Sequence, residues 1–177
     1  MVLLECGGDP IRQLCRYDRA AILQGEYWRL LSGHLVHDSW NHLLENLAGI
    51  GLLAALFPGD YSLRQWLLVV LLSLICIDVG FVCNEPQLEW YVGLSGVLHG
   101  ALAAGAVAWW RFESKVLATI LTVIFVGKLG WEQVQGSLPS ASDMAVVVDA
   151  HLYGAAGGLV AGLLFWLGSR YSWLRRS

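Results

Sequence analysis

The stretch Tyr91–Trp110, "YVGLSGVLHGALAAGAVAWW", decides the fold. From Ala101 onward it holds only alanine, leucine, glycine, valine and tryptophan, a composition no water-solvated helix needs. Ahead of that run Ser95 lies between Gly93 and Gly96, and His99 follows Ser95 by one helical turn. Polar and ionisable groups at the mouth of an apolar span are expensive, so each is a functional candidate until another role is found for it.

The rest of the chain names the solvent. Of 177 residues 56% are hydrophobic and 14% charged, with a mean hydropathy of +0.57. Soluble domains carry roughly 25% charged residues, so the surroundings read as a lipid bilayer. A formal net charge of −3 argues against nucleic acid as a partner, which wants a basic face. Nine tryptophans suit a protein with two membrane interfaces to anchor.

A span needs roughly 20 apolar residues, and five segments qualify: 40–57, 65–82, 94–110, 116–129 and 150–167. The fourth is the shortest. Pro58-Gly59 stops the first, and Asn84, Glu85 and Pro86 follow the second. The whole of 1–177 reads as a single all-α, polytopic membrane domain, with 1–38 an outer loop region and 168–177 a basic cytoplasmic tail. Cytoplasmic loops are enriched in Lys and Arg. An inside C-terminus gathers Arg64, Arg111, Lys115, Arg170, Arg175 and Arg176 inside. It leaves the 83–92 and 131–148 connections, whose charges are acidic (Glu132 and Asp143 in the second), outside. Arg12, Arg16, Arg19 and Arg29 run against this rule, since five spans put the N-terminal region outside. "MVLLEC" is too short to span and is no signal peptide, so the expectation is an upstream first helix that the sequence lacks. Cys6, Cys15, Cys76 and Cys83 show no metal-binding spacing. Cys83 bridged to Cys6 or Cys15 would suit an oxidising periplasm, and four free thiols fit equally well.

Three span openings carry polar residues. The first, "HDSWNHLLENLAGI", has Asp38 or Ser39 as N-cap and puts His42 and Asn46 on one helix face at i, i+4. Both donate hydrogen bonds, which serves either an oxyanion or interhelical packing. Glu45 lies on a neighbouring face and receives no role. The last span opens "DAHLYGAAGGLVAG", with His151 in its first turn and Gly154 and Gly158 in a GxxxG spacing that Gly96 and Gly100 repeat. Helices with such small faces approach closely. If these two meet, Ser95 and His151 lie at matching depth, and histidine, with a pKa near neutrality, can take the serine proton. His99 is the other candidate base, but lies about 6 Å deeper by helix rise, so His151 is preferred. The start of the Ser95 helix also offers free N–H groups and a positive dipole end to a developing oxyanion. A metal is not expected, because His34, His37 and His42 form no convincing ligand set, and no cofactor is expected.

An HxxxN helix, a GxSG helix and an AHxxGxxxG helix, in that order, resemble the rhomboid family of intramembrane serine proteases. "GEYWRLLSGHLVH" is similar to that family's first outer loop, with its Trp28-Arg29 pair. The resemblance covers roughly 19–168. It implies Ser95 as nucleophile, His151 as general base, and His42 and Asn46 as oxyanion donors. A third acid is not required by the mechanism, Trp28-Arg29 reads as a structural pair, and His37 reads as holding the outer loop by hydrogen bonds. The resemblance also implies a six-helix bundle whose first helix is the missing one. "GLSGVLHG" with its extra His99, and "DAHLYGAAGG", resemble the rhombosortase branch. That resemblance implies an enzyme of the bacterial inner membrane with a periplasmic active site. Its partners would be secreted proteins anchored by a C-terminal tail: a Gly-Gly-type motif, a transmembrane span and a basic end. The rival readings are a generic rhomboid protease with other transmembrane substrates, a non-catalytic rhomboid-like helix binder, and a small transporter using Glu45, Asp78 and Lys128. No inverted repeat supports the last.

Overall fold

The computed structural model describes residues 1–136 and 147–174. Asp143, Arg175 and Arg176, together with the side chain of Arg170, lie outside the described residues. In chain order the elements are α1 (Val2–Glu5), α2 (Gly8–Cys15), β1 (Tyr17–Asp18), α3 (Arg19–Leu23), α4 (Arg29–Ser32), α5 (Trp40–Leu56), α6 (Leu63–Asn84), β2 (Trp90–Tyr91), α7 (Ser95–Phe112), α8 (Lys115–Gln135) and α9 (Val148–Leu174).

The five apolar segments fall on α5 to α9. Serine begins three of these helices: Ser39, Ser62 and Ser114 accept from the backbone N–H groups of His42, Gln65 and Leu117, which satisfies donors the first turn leaves open. Leu63–Asn84, Lys115–Gln135 and Val148–Ser169 are long and apolar enough to cross a membrane. The other two fall short for physical reasons. Helix α5 has 17 residues, and α7 trades aliphatic bulk for alanine and glycine because it is the inner helix, touching α5, α6, α8 and α9. Its buried positions are nearly all small: Gly96, Gly100, Ala101, Ala103, Ala104, Gly105, Ala106 and Ala108, with Val97.

Small residues are what the α7–α9 contact requires. A Cβ on Gly96 would come 2.7 Å from the Ala150 carbonyl oxygen, and one on Gly100 would come 2.6 Å from that of Gly154. Reciprocally, a Cβ on Gly154 or Gly158 would land on the carbonyl oxygens of Gly96 or Gly100. The two GxxxG faces seat on each other, and so Ser95 and His151 open neighbouring helices.

Two expectations change here. Helix α8 does not stop at 129. Nothing between Leu129 and Gln135 breaks a helix, and it ends at Gly136, which takes a φ of +81°, a conformation that glycine adopts at no steric cost. Glu132, read above as part of an outer connection, is therefore a helical residue. The 1–38 region, read as a loop, holds four short helices and pairs β1 with β2 antiparallel, Tyr17 facing Tyr91. Its arginines have local work. Arg19 caps the end of α6 through the carbonyls of Phe81 (2.6 Å) and Glu85 (2.7 Å), where the helix dipole favours a cation. Arg16 pairs with Asp18 at 3.0 Å. Arg12 meets Glu5 and Asp9 and donates to the His37 carbonyl at 2.6 Å. The buried Arg29 donates to the carbonyls of Gln13 and Arg16 and pairs with Glu26, the structural role expected of it, while Trp28 is exposed. All four cysteines are free thiols.

Candidate active site

The site forms where α5, α7, α8 and α9 begin or end. Ser95 is the first residue of α7, and Gly93 turns the chain into it with a φ of +118°. A Cβ there would also come 2.6 Å from Cε1 and 2.8 Å from Nε2 of His42. Only glycine lets the His42 ring approach the backbone two residues before the serine. The turn is further held by the Tyr91 hydroxyl, which donates to the Gly93 carbonyl at 2.7 Å.

The Ser95 Oγ lies 2.9 Å from Nε2 of His151, a buried side chain. This is the pairing expected from the two glycine faces. His99, the alternative base, uses both ring nitrogens elsewhere. Its Nδ1 lies 2.7 Å from the Ser95 carbonyl oxygen, and its Nε2 lies 2.7 Å from the Lys128 ammonium. The two rings stack at 4.0 Å with an interplanar angle of 11°. Glu45 takes no part in this contact and is exposed on α5.

The residue that sequence reasoning missed is Glu132. Its carboxylate lies 3.0 Å from His151 Nδ1 and 2.5 Å from the Lys128 ammonium, and it is 3% exposed. The signal was present: Lys128 and Glu132 stand at i, i+4 in an apolar helix, a pair that shares a face. Ending the segment at 129 hid it. Lys128, earlier weighed as a transporter residue, is bound into this cluster. Asp78, another of that trio, faces the buried His34 at 3.4 Å.

The ligating atoms of His99, Glu132 and His151 all lie within 4.8 Å of one another, close enough to suggest a cation. The Lys128 ammonium, in bonding contact with two of the three, supplies the positive charge there. A divalent ion in the same place would have to displace it.

On the opposite side, His42 Nδ1 lies 2.6 Å from the Asp38 carboxylate, which leaves Nε2 beside Gly93. Asn46 is buried, with its amide nitrogen donating to the His42 carbonyl at 2.9 Å and its Oδ1 without a partner. It steadies the first turn of α5, and the amide keeps one more N–H to give.

His37 departs from expectation. It is fully buried, neither ring nitrogen has a partner, and the ring sits edge-on to His42 at 5.0 Å. It holds the loop by its carbonyl and its bulk. Burial, helped by the neighbouring His42, lowers its pKa to about 4. The ring is therefore neutral in the folded protein, while in the unfolded chain it takes up a proton below about 6.5. Acid then favours unfolding between pH 6.5 and about 4, and above pH 6.5 His37 is neutral in both states. His37→Leu should flatten that loss by roughly 1 to 3 kcal/mol at pH 4, read as the difference between the two proteins' detergent-micelle unfolding midpoints at pH 7.5 and at acid pH. Equal acid sensitivity in both would refute the assignment.

A serine and a histidine thus meet across two close-packed helices of a multi-helix bundle, and the sequence of that bundle matches a known family of membrane proteins. Residues 24–168 match the rhomboid domain, and the chain belongs to the rhomboid family. It is similar to the putative rhomboid protease YdcA of Bacillus subtilis (strain 168), 27% identical over 143 residues, covering 81% of this chain and 69% of that protein. It is also similar to the rhomboid protease GlpG of Klebsiella pneumoniae (strain 342), 27% identical over 164 residues, covering 86% of this chain and 54% of that protein. A third relative, RHOMBOID-like protein 7 of Arabidopsis thaliana, is 25% identical over 153 residues, with 84% and 46% covered. The chain thus spans about two thirds of the first relative and about half of the other two. With its apolar helices, family membership makes it a multi-pass membrane protein.

Proposed function

We propose that this chain is an intramembrane serine endopeptidase, and that it cleaves membrane-anchored secreted proteins at a C-terminal Gly-Gly-type sorting tail. The observation that carries the catalytic reading is the 2.9 Å approach of Ser95 Oγ to His151 Nε2. A substrate helix enters from the bilayer and unwinds at its glycines, which are poor helix formers. Ser95 Oγ attacks the scissile carbonyl carbon while His151 Nε2 accepts the hydroxyl proton. The carbonyl π electrons move to oxygen, and that oxyanion receives hydrogen bonds from the Asn46 amide and the Ser95 N–H at the start of α7; His42 Nε2 joins them as a donor only with the ring doubly protonated, because the Asp38 carboxylate takes the Nδ1 proton. His151 then gives its proton to the departing amine. Water, deprotonated in turn by His151, releases the acyl group from Ser95.

Tail specificity rests on the likeness of "GLSGVLHG" and "DAHLYGAAGG" to the rhombosortase branch. So does a site facing the periplasm from a bacterial inner membrane. Two of the relatives named above carry the name rhomboid protease, which favours the broader reading, a protease of other transmembrane substrates. A reporter carrying a Gly-Gly motif, an apolar span and a basic end, co-expressed with the enzyme, separates the two. A new C-terminus at or beside the glycines, lost in Ser95→Ala, supports the tail reading. Ser95-dependent cleavage of unrelated transmembrane reporters, with the Gly-Gly tail spared, supports the broader one.

A further inference from the structure

Lys128 and Glu132 are a charged pair inside an apolar helix, and the proposed mechanism uses neither. Burying charge is costly unless the charge is paired and hydrogen-bonded, so the pair's surroundings should show what it does. They form a closed ring. Ser95 Oγ meets His151 Nε2 at 2.9 Å, and His151 Nδ1 meets Glu132 Oε2 at 3.0 Å. Glu132 Oε1 meets Lys128 Nζ at 2.5 Å, Lys128 Nζ meets His99 Nε2 at 2.7 Å, and His99 Nδ1 meets the Ser95 carbonyl at 2.7 Å.

One assignment of protons satisfies every bond. An ammonium only donates and a carboxylate only accepts. Lys128 must therefore donate to Glu132 and to His99 Nε2. That leaves the His99 proton on Nδ1, where it bonds the Ser95 carbonyl. Glu132, an acceptor, requires a proton on His151 Nδ1. His151 Nε2 is then bare and faces the Ser95 hydroxyl, which is the tautomer a general base needs. His99, neutral in this assignment, stacks on the His151 ring at 4.0 Å and fixes its plane without adding a like charge.

We propose that Glu132 is a positioning residue that completes a Ser95–His151–Glu132 triad. It fixes the His151 tautomer and stabilises the imidazolium that forms when the Ser95 proton arrives, while Lys128 and His99 hold the carboxylate and the ring in place. The inference rests on the protease reading and deepens it: the histidine of this chain works with an acid and not alone. In serine proteases, disturbing the acid leaves the geometry standing but strands the histidine in the wrong tautomer.

The test uses the full chain in proteoliposomes with a fluorogenic transmembrane substrate. A serine-reactive fluorophosphonate serves as a substrate-free readout. Glu132→Gln should lower kcat and the labelling rate by about 10²- to 10⁴-fold, with KM changed less than about threefold and the unfolding midpoint held. Glu132→Gln/Lys128→Met, which leaves no unpaired ammonium, should show the same loss. In a His151→Ala background the Glu132 substitution should have no further effect, because groups that act as a unit are non-additive. Wild-type kcat in Glu132→Gln, or an equal fold-loss with and without His151, would overturn the triad and leave the protease reading intact. No cleavage and no labelling by the wild type, indistinguishable from Ser95→Ala, would overturn both.

Discussion

Replacing Ser95 by alanine is expected to lower the cleavage rate by roughly 10⁴-fold or more, and replacing His151 by alanine to do nearly the same. Neither loss needs a fold change. A serine hydroxyl is a poor nucleophile until a base removes its proton as it attacks. Among the described residues, the base with a nitrogen turned to Oγ is His151, at 2.9 Å. His99 is close, but its two nitrogens serve the Ser95 carbonyl and Lys128. The double variant should therefore be no slower than either single one, since a nucleophile without its base and a base without its nucleophile are equally idle. Fluorophosphonate labelling checks the same point without a substrate: it should vanish in Ser95→Ala and fall steeply in His151→Ala. Persistent labelling of Ser95→Ala would remove the nucleophile assignment. Full turnover in His151→Ala, with loss in His99→Ala, would transfer the base to His99.

What the sequence made legible was set by how local each signal is. The apolar segments announce themselves by composition, and each lies on one helix. The meeting of Ser95 with His151 is a contact across 56 positions. It was still readable, because two GxxxG faces predict a close crossing and put both residues at helix starts. Glu132 was not read, for a reason of a different kind. Ending the fourth span at 129 rests on apolarity, and a charged pair lowers apolarity where it is most informative. The helix continues through Lys128 and Glu132 because their charges neutralise each other and reach two histidines. The short helices before residue 38 were hidden for a third reason. Arg12, Arg19 and Arg29 hold that region together through carbonyl oxygens distant in sequence, and a main-chain acceptor leaves no mark on residue identity. His37 shows the converse, a histidine that looked like a hydrogen-bonding residue and is buried without a side-chain partner.

Gly158→Ala should be the most damaging single-methyl addition away from the chemistry. The new Cβ would fall on the Gly100 carbonyl oxygen, and Gly100 is already crowded by the Ser73 side chain of α6 and the Gly154 carbonyl of α9. Backbone cannot swing aside as a side-chain end can, so α9 must move away from α7. Overpacking of this kind costs about 1 to 3 kcal/mol, and here the same movement separates Ser95 from His151, which sit on the two helices that part. A misplacement of about 1 Å can cost roughly 10²-fold in rate, so activity should fall further than stability. Gly51→Ala is the matched comparison. It lies in α5, nothing stands within 4 Å of its Cβ position, and alanine improves helix propensity by up to about 1 kcal/mol. Unfolding midpoints in detergent and cleavage rates in liposomes, measured for both variants, should move in opposite directions for stability and only for Gly158→Ala in rate. Gly158→Ala with wild-type kcat would mean that α7 and α9 do not set the Ser95–His151 distance. Ser95 and His151 would then have to be held together by the α8 cluster alone.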